Sequence, residues 1–196
     1  MDSYLWYLVV VFGVVAACGI WWTKTYNHLV RLRNRAQAMW AEIDVELKRR
    51  HDLVPNLVQV VAGYATHERG TLDEVTQARN RAVAAQDPSD QAQAENVLTA
   101  SLGRLFANVE NYPQLKAEPA FQELQEQLAR LEQTVAQARQ AYNLTVQAFN
   151  NAVQTVPSNV VAWFGSMQEL EYLGAEDEDR AVPDVQLGIP PAAVHG

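Results

Sequence analysis

Residues 4–22 form a run of nineteen residues without a charged side chain, and this run limits the folds open to the chain more than any other segment. As a helix it is about 27 Å long, at about 1.5 Å per residue, which matches the hydrocarbon thickness of a bilayer. Aromatic residues lie at both ends, where amphipathic rings favour the membrane interfaces. We therefore predict a transmembrane helix over 4–22, after an N-terminal flank of residues 1–3, with interface residues Tyr4, Trp6, Tyr7, Trp21, Trp22 and Lys24.

A cleaved signal peptide and a lipid-modified cysteine are the two alternatives to a retained helix. Signal peptides begin with basic residues, whereas residues 1–3 contain none. Residues 15–18 read Val-Ala-Ala-Cys and resemble a lipobox, which would make Cys18 the lipidated N-terminus. However, the apolar run continues four residues past Cys18. We therefore interpret Cys18 as a small apolar residue of a retained span.

The distribution of basic residues predicts the orientation of the span. Lys24, Arg31, Arg33 and Arg35 follow the span, and no Lys or Arg precedes it. By the positive-inside rule, we expect a single-pass protein with its bulk in the cytoplasm. The chain has one cysteine, which leaves no partner for a disulfide within the chain, and this is consistent with a reducing compartment.

Helix breakers and apolar periodicity divide the rest of the chain into four helices. We predict that the first continues directly from the span to about Arg50 and ends near His51-Asp52, with Pro55 in the first turn of the second. The second then extends to about Ala85, the third covers about 90–111 and the fourth about 121–156.

Four helices joined by short connections favour one architecture. We predict an all-α chain in which the transmembrane helix continues into an antiparallel four-helix bundle with long helices, over residues 23–165. An acidic, Pro-containing C-terminal tail follows at 166–196. Trp40 is interpreted as a core residue of the bundle. The charged run at 48–52 is interpreted as solvated cations at a helix C-terminus, with a contact to another subunit or partner as the alternative.

Two long segments carry a resemblance to a known family. They are YNHLVRLRNRAQAMWAEIDVELKRRHDLVPNLVQVVAGYATHERGTLDEVTQARNRA at 26–82 and AYNLTVQAFNNAVQTVPSNVVAWFG at 141–165. Both segments resemble the LemA family of bacterial membrane proteins. This resemblance implies an N-terminal membrane segment, a helical-bundle domain and location in the bacterial inner membrane, but no established reaction. It also implies links to membrane organisation, including magnetosome formation, and to membrane proteases of the stress response.

The sequence departs from the family pattern at two places. Some relatives carry a lipobox directly before the Tyr-Asn pair, whereas Cys18 lies eight residues before Tyr26. The acidic stretch at 176–179 and the Pro-rich end after Gly188 also differ from a simple family C-terminus.

Residues with the spacing of a catalytic or metal site are not found in the sequence. The four histidines, His28, His51, His67 and His195, are scattered, and His67-Glu68 is not followed by the second histidine of a zinc protease motif. No nucleophile motif or phosphate-binding glycine loop is present. We therefore predict no catalytic residues, no metal, no cofactor and no enzymatic activity. A formal net charge of −8 also argues against a nucleic-acid partner.

We weigh two non-enzymatic functions. The first is a membrane-anchored protein that self-assembles and organises or shapes membrane, with lipids and further copies of itself as partners. Its oligomer contacts would be a small-residue face of the span and basic residues that pair with the acidic tail. These residues are Gly13, Ala17, Arg31, Arg33, Arg35, Glu176, Asp177, Glu178 and Asp179. The second is an adaptor or accessory subunit of a membrane protease or transporter in the envelope stress response.

A second membrane contact follows from the direction of the helices. In an antiparallel bundle the fourth helix returns to the bilayer and brings with it the apolar segment after Pro157. The residues that we expect to contact lipid there are Val160, Val161, Trp163 and Phe164. The alternative is that they close the open end of the bundle.

A retained span predicts a defined mass. The intact mass of protein extracted from membranes should show that residues 1–17 are present and that Cys18 carries no lipid. A diacylglycerol adduct on Cys18 would contradict this prediction.

Overall fold

The computed structural model describes residues 2–65 and 68–174 of the chain. Within these residues the chain is helical and has no strand, which confirms the predicted all-α class. The helices are α1 (Asp2–Tyr64), α2 (Arg69–Ala84), α3 (Pro88–Val109), α4 (Pro113–Lys116), α5 (Pro119–Gln154) and α6 (Ser158–Phe164).

Helix α1 contains both the apolar run and the first water-exposed helix, as predicted. Among the described helices it alone is long and apolar enough to cross a membrane, and its apolar window is free of buried residues. From Leu29 onward one stripe of α1 is buried, because its apolar residues recur at the three- and four-residue steps of a helix face. The stripe consists of Leu29, Ala36, Ile43, Leu47, Val54, Leu57 and Val61.

The predicted break near His51-Asp52 is wrong, because α1 continues through Pro55 to Tyr64. Proline has no N–H to bond the carbonyl four residues earlier, which here belongs to His51. That carbonyl oxygen instead accepts a hydrogen bond from Nε of Arg79 in α2, at 3.1 Å. A side chain of α2 therefore supplies the bond that Pro55 cannot, and α2 begins later than predicted, at Arg69.

Helix α5 lies antiparallel to α1. At the far end of α1, the hydroxyl of Tyr64 donates to Glu118, just before α5, at 2.7 Å. Closer to the apolar run, the ring of Trp40 lies 5.8 Å from the ring of Tyr142. The bounds of α5 confirm the predicted fourth helix to within two residues at each end. Its buried apolar residues are Phe121, Leu128, Val135, Tyr142, Val146 and Phe149.

Helices α2 and α3 form an antiparallel pair beside the distal half of α1. The turn between them is fixed by Asp87, whose carboxylate accepts the N–H of Asp90 at 2.8 Å, and by Pro88 in the first turn of α3. At the other end of the pair, Asn108 donates to Thr71 at 3.1 Å. The apolar residues that this pair buries against α1 include Leu72, Val75, Leu98, Leu102 and Leu105.

The closed four-helix arrangement stays a prediction. Close backbone packing joins α1 with α5, α2 with α3 and α1 with α2. Helix α3 instead reaches α1 and α5 through longer side chains, such as Phe106, whose ring centroid lies 6.1 Å from that of Phe121.

A buried charged cluster joins α1, α3 and α5. The guanidinium of Arg50 donates to Glu95 at 3.1 Å, to Thr99 at 2.8 Å and to Glu132 at 2.8 Å. Nε2 of His51 donates to the other carboxylate oxygen of Glu95, whose side chain is fully buried. The cluster therefore fixes the position of three helices relative to one another at one level.

The interpretation of the run 48–52 as a solvated helix end is wrong for Arg50 and His51. Both side chains are buried, whereas Lys48, Arg49 and Asp52 are exposed. The reason is the continuity of α1, since residues in the middle of a helix divide between a buried and an exposed face.

Loss of the Glu95 carboxylate should destabilise the helical domain. Glu95→Ala leaves Arg50 buried with one fewer counter-charge, so we expect the free energy of unfolding to fall by about 3–5 kcal/mol. The exposed Glu126, which pairs with Arg130 at 2.8 Å, is a matched control, and Glu126→Ala should cost about 1 kcal/mol or less. Thermal unfolding in mild detergent, followed by circular dichroism, measures both. Equal small shifts would contradict a structural role for the cluster.

Candidate membrane-interface site

Helix α6 has an inner and an outer face although it is only seven residues long. Val161 and Ala162 are buried, with 0% and 1% of their surface exposed, and they pack with Leu29 and Phe149. Trp163 and Phe164 are 75% and 65% exposed. Helix α6 therefore has one face packed on α1 and α5 and an outward apolar patch on the other.

The outward patch lies at the end of the apolar run of α1. The ring of Phe164 is 5.4 Å from the ring of Trp22 and 4.8 Å from the ring of Trp163, both edge-on. The next residue, Gly165, lies close to α1, since a Cβ built on it would be only 3.2 Å from the ring of Tyr26. Trp22, Trp163 and Phe164 thus form one aromatic cluster at one level of the molecule. We call these three residues the aromatic cluster.

The structure places the other predicted interface residues at the two ends of the apolar run. Trp21 and Lys24 lie beside the aromatic cluster and are exposed. Tyr4, Trp6 and Tyr7 are exposed at the opposite end of the run. Val160 is also exposed, on the outer face of α6, whereas Val161 is on the inner face and makes no outward surface.

The predicted oligomer contacts divide into described and undescribed residues. Gly13 and Ala17 lie on the exposed surface of the span, where a Cβ built on Gly13 meets nothing within 4 Å. The exposed residues Arg31, Arg33 and Arg35 follow the aromatic cluster along α1. The acidic residues Glu176, Asp177, Glu178 and Asp179 lie outside the described residues, so their pairing with these arginines stays a prediction.

Sequence reasoning missed an ordered segment that directly follows α6. Residues 167–173, here called the strap, leave α6 through Gly165 and Ser166 and pack on α1 and α5. The side-chain amide of Asn150 both donates to the carbonyl and accepts the N–H of Leu170, each at 2.9 Å. Asn143 makes the same two bonds with Leu173, also at 2.9 Å.

One sequence signal points to these two asparagines. They lie seven residues apart on α5, so they share one face of the helix, next to its apolar seam. Asparagine is disfavoured in the interior of a helix, because its side-chain amide competes for the backbone hydrogen bonds. Two asparagines on one face of a long helix are therefore a sequence signal of polar contacts made by that face.

Other site chemistry is limited in the part of the chain that the structure describes. No three His, Cys, Asp or Glu side chains in residues 2–65 and 68–174 are grouped as metal ligands would be. The half-buried Arg139 lies near the charged cluster. Burial lowers its pKa, and the charges of Glu95 and Glu132 act in the opposite direction. The pKa of Arg139 is lowered overall, because the effect of burial outweighs the attraction of the two carboxylates.

Comparison with known proteins identifies relatives along most of the chain. The chain is 26% identical to Protein LemA of Metamycoplasma hominis over 159 residues, which cover 81% of this chain and 73% of the relative. It is 24% identical to Magnetosome protein MamQ of Magnetospirillum gryphiswaldense and 23% identical to Magnetosome protein MamQ 2 of Paramagnetospirillum magneticum. Each of these two matches covers 75% of this chain and 64% of the relative, so just under two thirds of each magnetosome protein is matched.

The family model agrees with these relatives. The model described as the LemA family matches residues 39–187, which include most of α1 after the apolar run and all the other helices. The match extends well beyond half of the chain, and it includes the buried charged cluster, α6 and the strap. The chain therefore belongs to the LemA family.

Proposed function

We propose that this protein is a non-enzymatic, single-pass protein of the bacterial inner membrane that contacts the same membrane twice. The first contact is the apolar run of α1. The second is the outer face of α6, whose aromatic cluster would lie in the headgroup region, where Trp and Phe rings are stable. The contact between Trp22 and Phe164 carries this proposal, because it sets α6 level with the end of the apolar run.

The antiparallel order of the helices supports the second contact. In an up-down-up-down four-helix bundle, α1 leaves the membrane, α2 returns, α3 leaves and α5 returns with α6 at its end. The length of α5, 36 residues or about 54 Å, is sufficient to cross the whole domain. The basic residues after the span support a cytoplasmic location of this domain, by the positive-inside rule.

We further propose that copies of the protein assemble and organise or shape membrane. Two exposed features support this proposal. Gly13 and Ala17 are four residues apart on the span, and small residues at this spacing allow close helix contact in lipid. The exposed arginines 31, 33 and 35 offer positive charge to the acidic tail of a neighbouring copy. Similarity to two relatives named as magnetosome proteins is consistent with such a function.

Trp163 should contribute to lipid binding and little to stability. In a chain that begins at Tyr26 and retains its helical circular dichroism, Trp163→Ser should weaken binding to vesicles about tenfold, because a large apolar surface no longer enters the lipid. Its Tm should hardly change, since Trp163 is mostly exposed. Vesicle flotation and thermal unfolding measure the two effects.

Two controls separate lipid contact from folding. Leu144 is 59% exposed on α5, so Leu144→Ser should change neither quantity. Val161 is buried, and Val161→Ser should lower the Tm. Unchanged vesicle binding by Trp163→Ser would contradict the second membrane contact.

Self-assembly should be visible in the molar mass. Light scattering of the full chain in mild detergent should give a multiple of the 21.9 kDa monomer mass over a range of concentrations. Gly13→Leu should reduce the mass, because a bulky side chain keeps the small-residue faces apart. A monomer at every concentration would count against assembly. A stoichiometric second protein that copurifies with such a monomer would favour the adaptor function.

A further inference from the structure

Polar contacts between the strap and α5 are made to the backbone of the strap. Asn150 and Asn143 bind both the N–H and the C=O of Leu170 and of Leu173. The hydroxyl of Tyr142 adds a bond to the carbonyl of Glu171, at 3.1 Å. Each asparagine side chain thus binds the strap as a neighbouring β-strand would, through one donor and one acceptor.

The spacing of these contacts fixes the register of the strap. Seven residues along α5 correspond to about 10.5 Å, and three residues of nearly extended chain correspond to about 10 Å. The two asparagines are seven residues apart, and the residues that they bind are three apart. The two periods therefore coincide, and a slip of the strap by one residue would leave both asparagine amides without their paired backbone groups.

The apolar side chains of the strap follow the same period of three. Met167 and Leu173 are buried, at 8% and 5% exposure, and Leu170 is half-buried between them. Met167 packs with Leu29, and Leu173 packs with Ile43. At Leu170 and Leu173, backbone bonds to α5 and apolar contacts therefore act on the same residues.

A tight turn joins α6 to the strap. The N–H of Met167 donates to the carbonyl of Ala162 at 3.0 Å, and the chain reverses direction at Ser166, where φ is 50°. A helix of seven residues is too short to be stable alone, because the cost of forming the first turn is not recovered over so few hydrogen bonds. The position of α6 therefore depends on α5 at one end and on the strap at the other.

We infer that the strap sets the depth at which α6 meets the lipid, with Asn143 and Asn150 as positioning residues. Asn150 fixes Leu170, and Asn143 fixes Leu173. The short chain between Trp163 and Leu170 then determines where the aromatic cluster lies relative to the span. This inference rests on the proposed contact between α6 and the membrane, and it names the residues that control that contact.

The test measures the depth of Trp163 directly. The full chain, with Phe in place of Trp at positions 6, 21, 22 and 40, is reconstituted into phosphatidylcholine vesicles with bromine at shallow or deep acyl positions. Shallow bromine should quench Trp163 fluorescence more than deep bromine. With both Asn143→Ala and Asn150→Ala present, this preference should fall at least twofold, because α6 no longer holds one depth.

Matched variants separate positioning from general destabilisation. Asn151 is exposed and adjacent to Asn150, so Asn151→Ala should leave the depth preference unchanged. Leu170→Pro removes the N–H that Asn150 accepts, whereas Leu170→Ala retains it. We expect the proline variant to lose the depth preference and the alanine variant to keep most of it. Circular dichroism of each variant should show the long helices intact.

The outcomes are distinguishable. If shallow bromine quenches Trp163 equally in the parent chain and in the double asparagine variant, the inference is overturned and the membrane contact stands. If bromine at neither depth quenches Trp163 in the parent chain, the proposed membrane contact fails, and the inference fails with it. A fall in Tm without any change in depth preference would assign the asparagines a structural role only.

Discussion

The unbroken backbone of α1, from the apolar run into the helical domain, is the constraint on which the rest of the structure depends. It survives Pro55 because Arg79 supplies the hydrogen bond that the carbonyl of His51 would otherwise lack. Helix α2 thus satisfies the backbone group that Pro55 leaves free and also buries the distal part of the stripe of α1. With α1 continuous, the far end of the domain is fixed relative to the span, and α5 has a full-length partner to return along.

Because α5 runs back along α1, the length of α5 determines where α6 lies along α1. The charged cluster around Arg50 joins α1, α3 and α5 at one level, and loss of either carboxylate would leave the buried guanidinium with one fewer counter-charge. Below this level the apolar seam of α5 runs beside α1 as far as Phe149, and α6 then closes the end of the domain next to Trp22. The aromatic cluster therefore forms because α1 and α5 pack in this register relative to each other.

The features predicted correctly from the sequence are those set by residues close together in the chain. The uncharged run predicted the apolar part of α1. The apolar seam predicted α5 to within two residues at each end, since helical periodicity reflects burial directly. The break at His51 was wrong because the effect of a proline is judged locally, whereas Arg79 compensates from another helix. Arg50 and His51 were assigned to solvent because a charged run reveals nothing of its tertiary partners. The strap was assigned to the tail because its binding uses backbone groups, which every residue has.

Because α1 is continuous, a tilt of the span in the membrane also moves the helical domain. From Trp22 to Tyr64 the helix is about 63 Å long, at the usual rise per residue. Transmembrane helices tilt by about 20° on average, and the tilt increases when the bilayer is thinner than the apolar run. A tilt of that size, passed along a rigid rod, moves the far end of α1 sideways by about 20 Å. Changes of a few ångströms in bilayer thickness are thereby magnified at the end of the molecule farthest from the lipid.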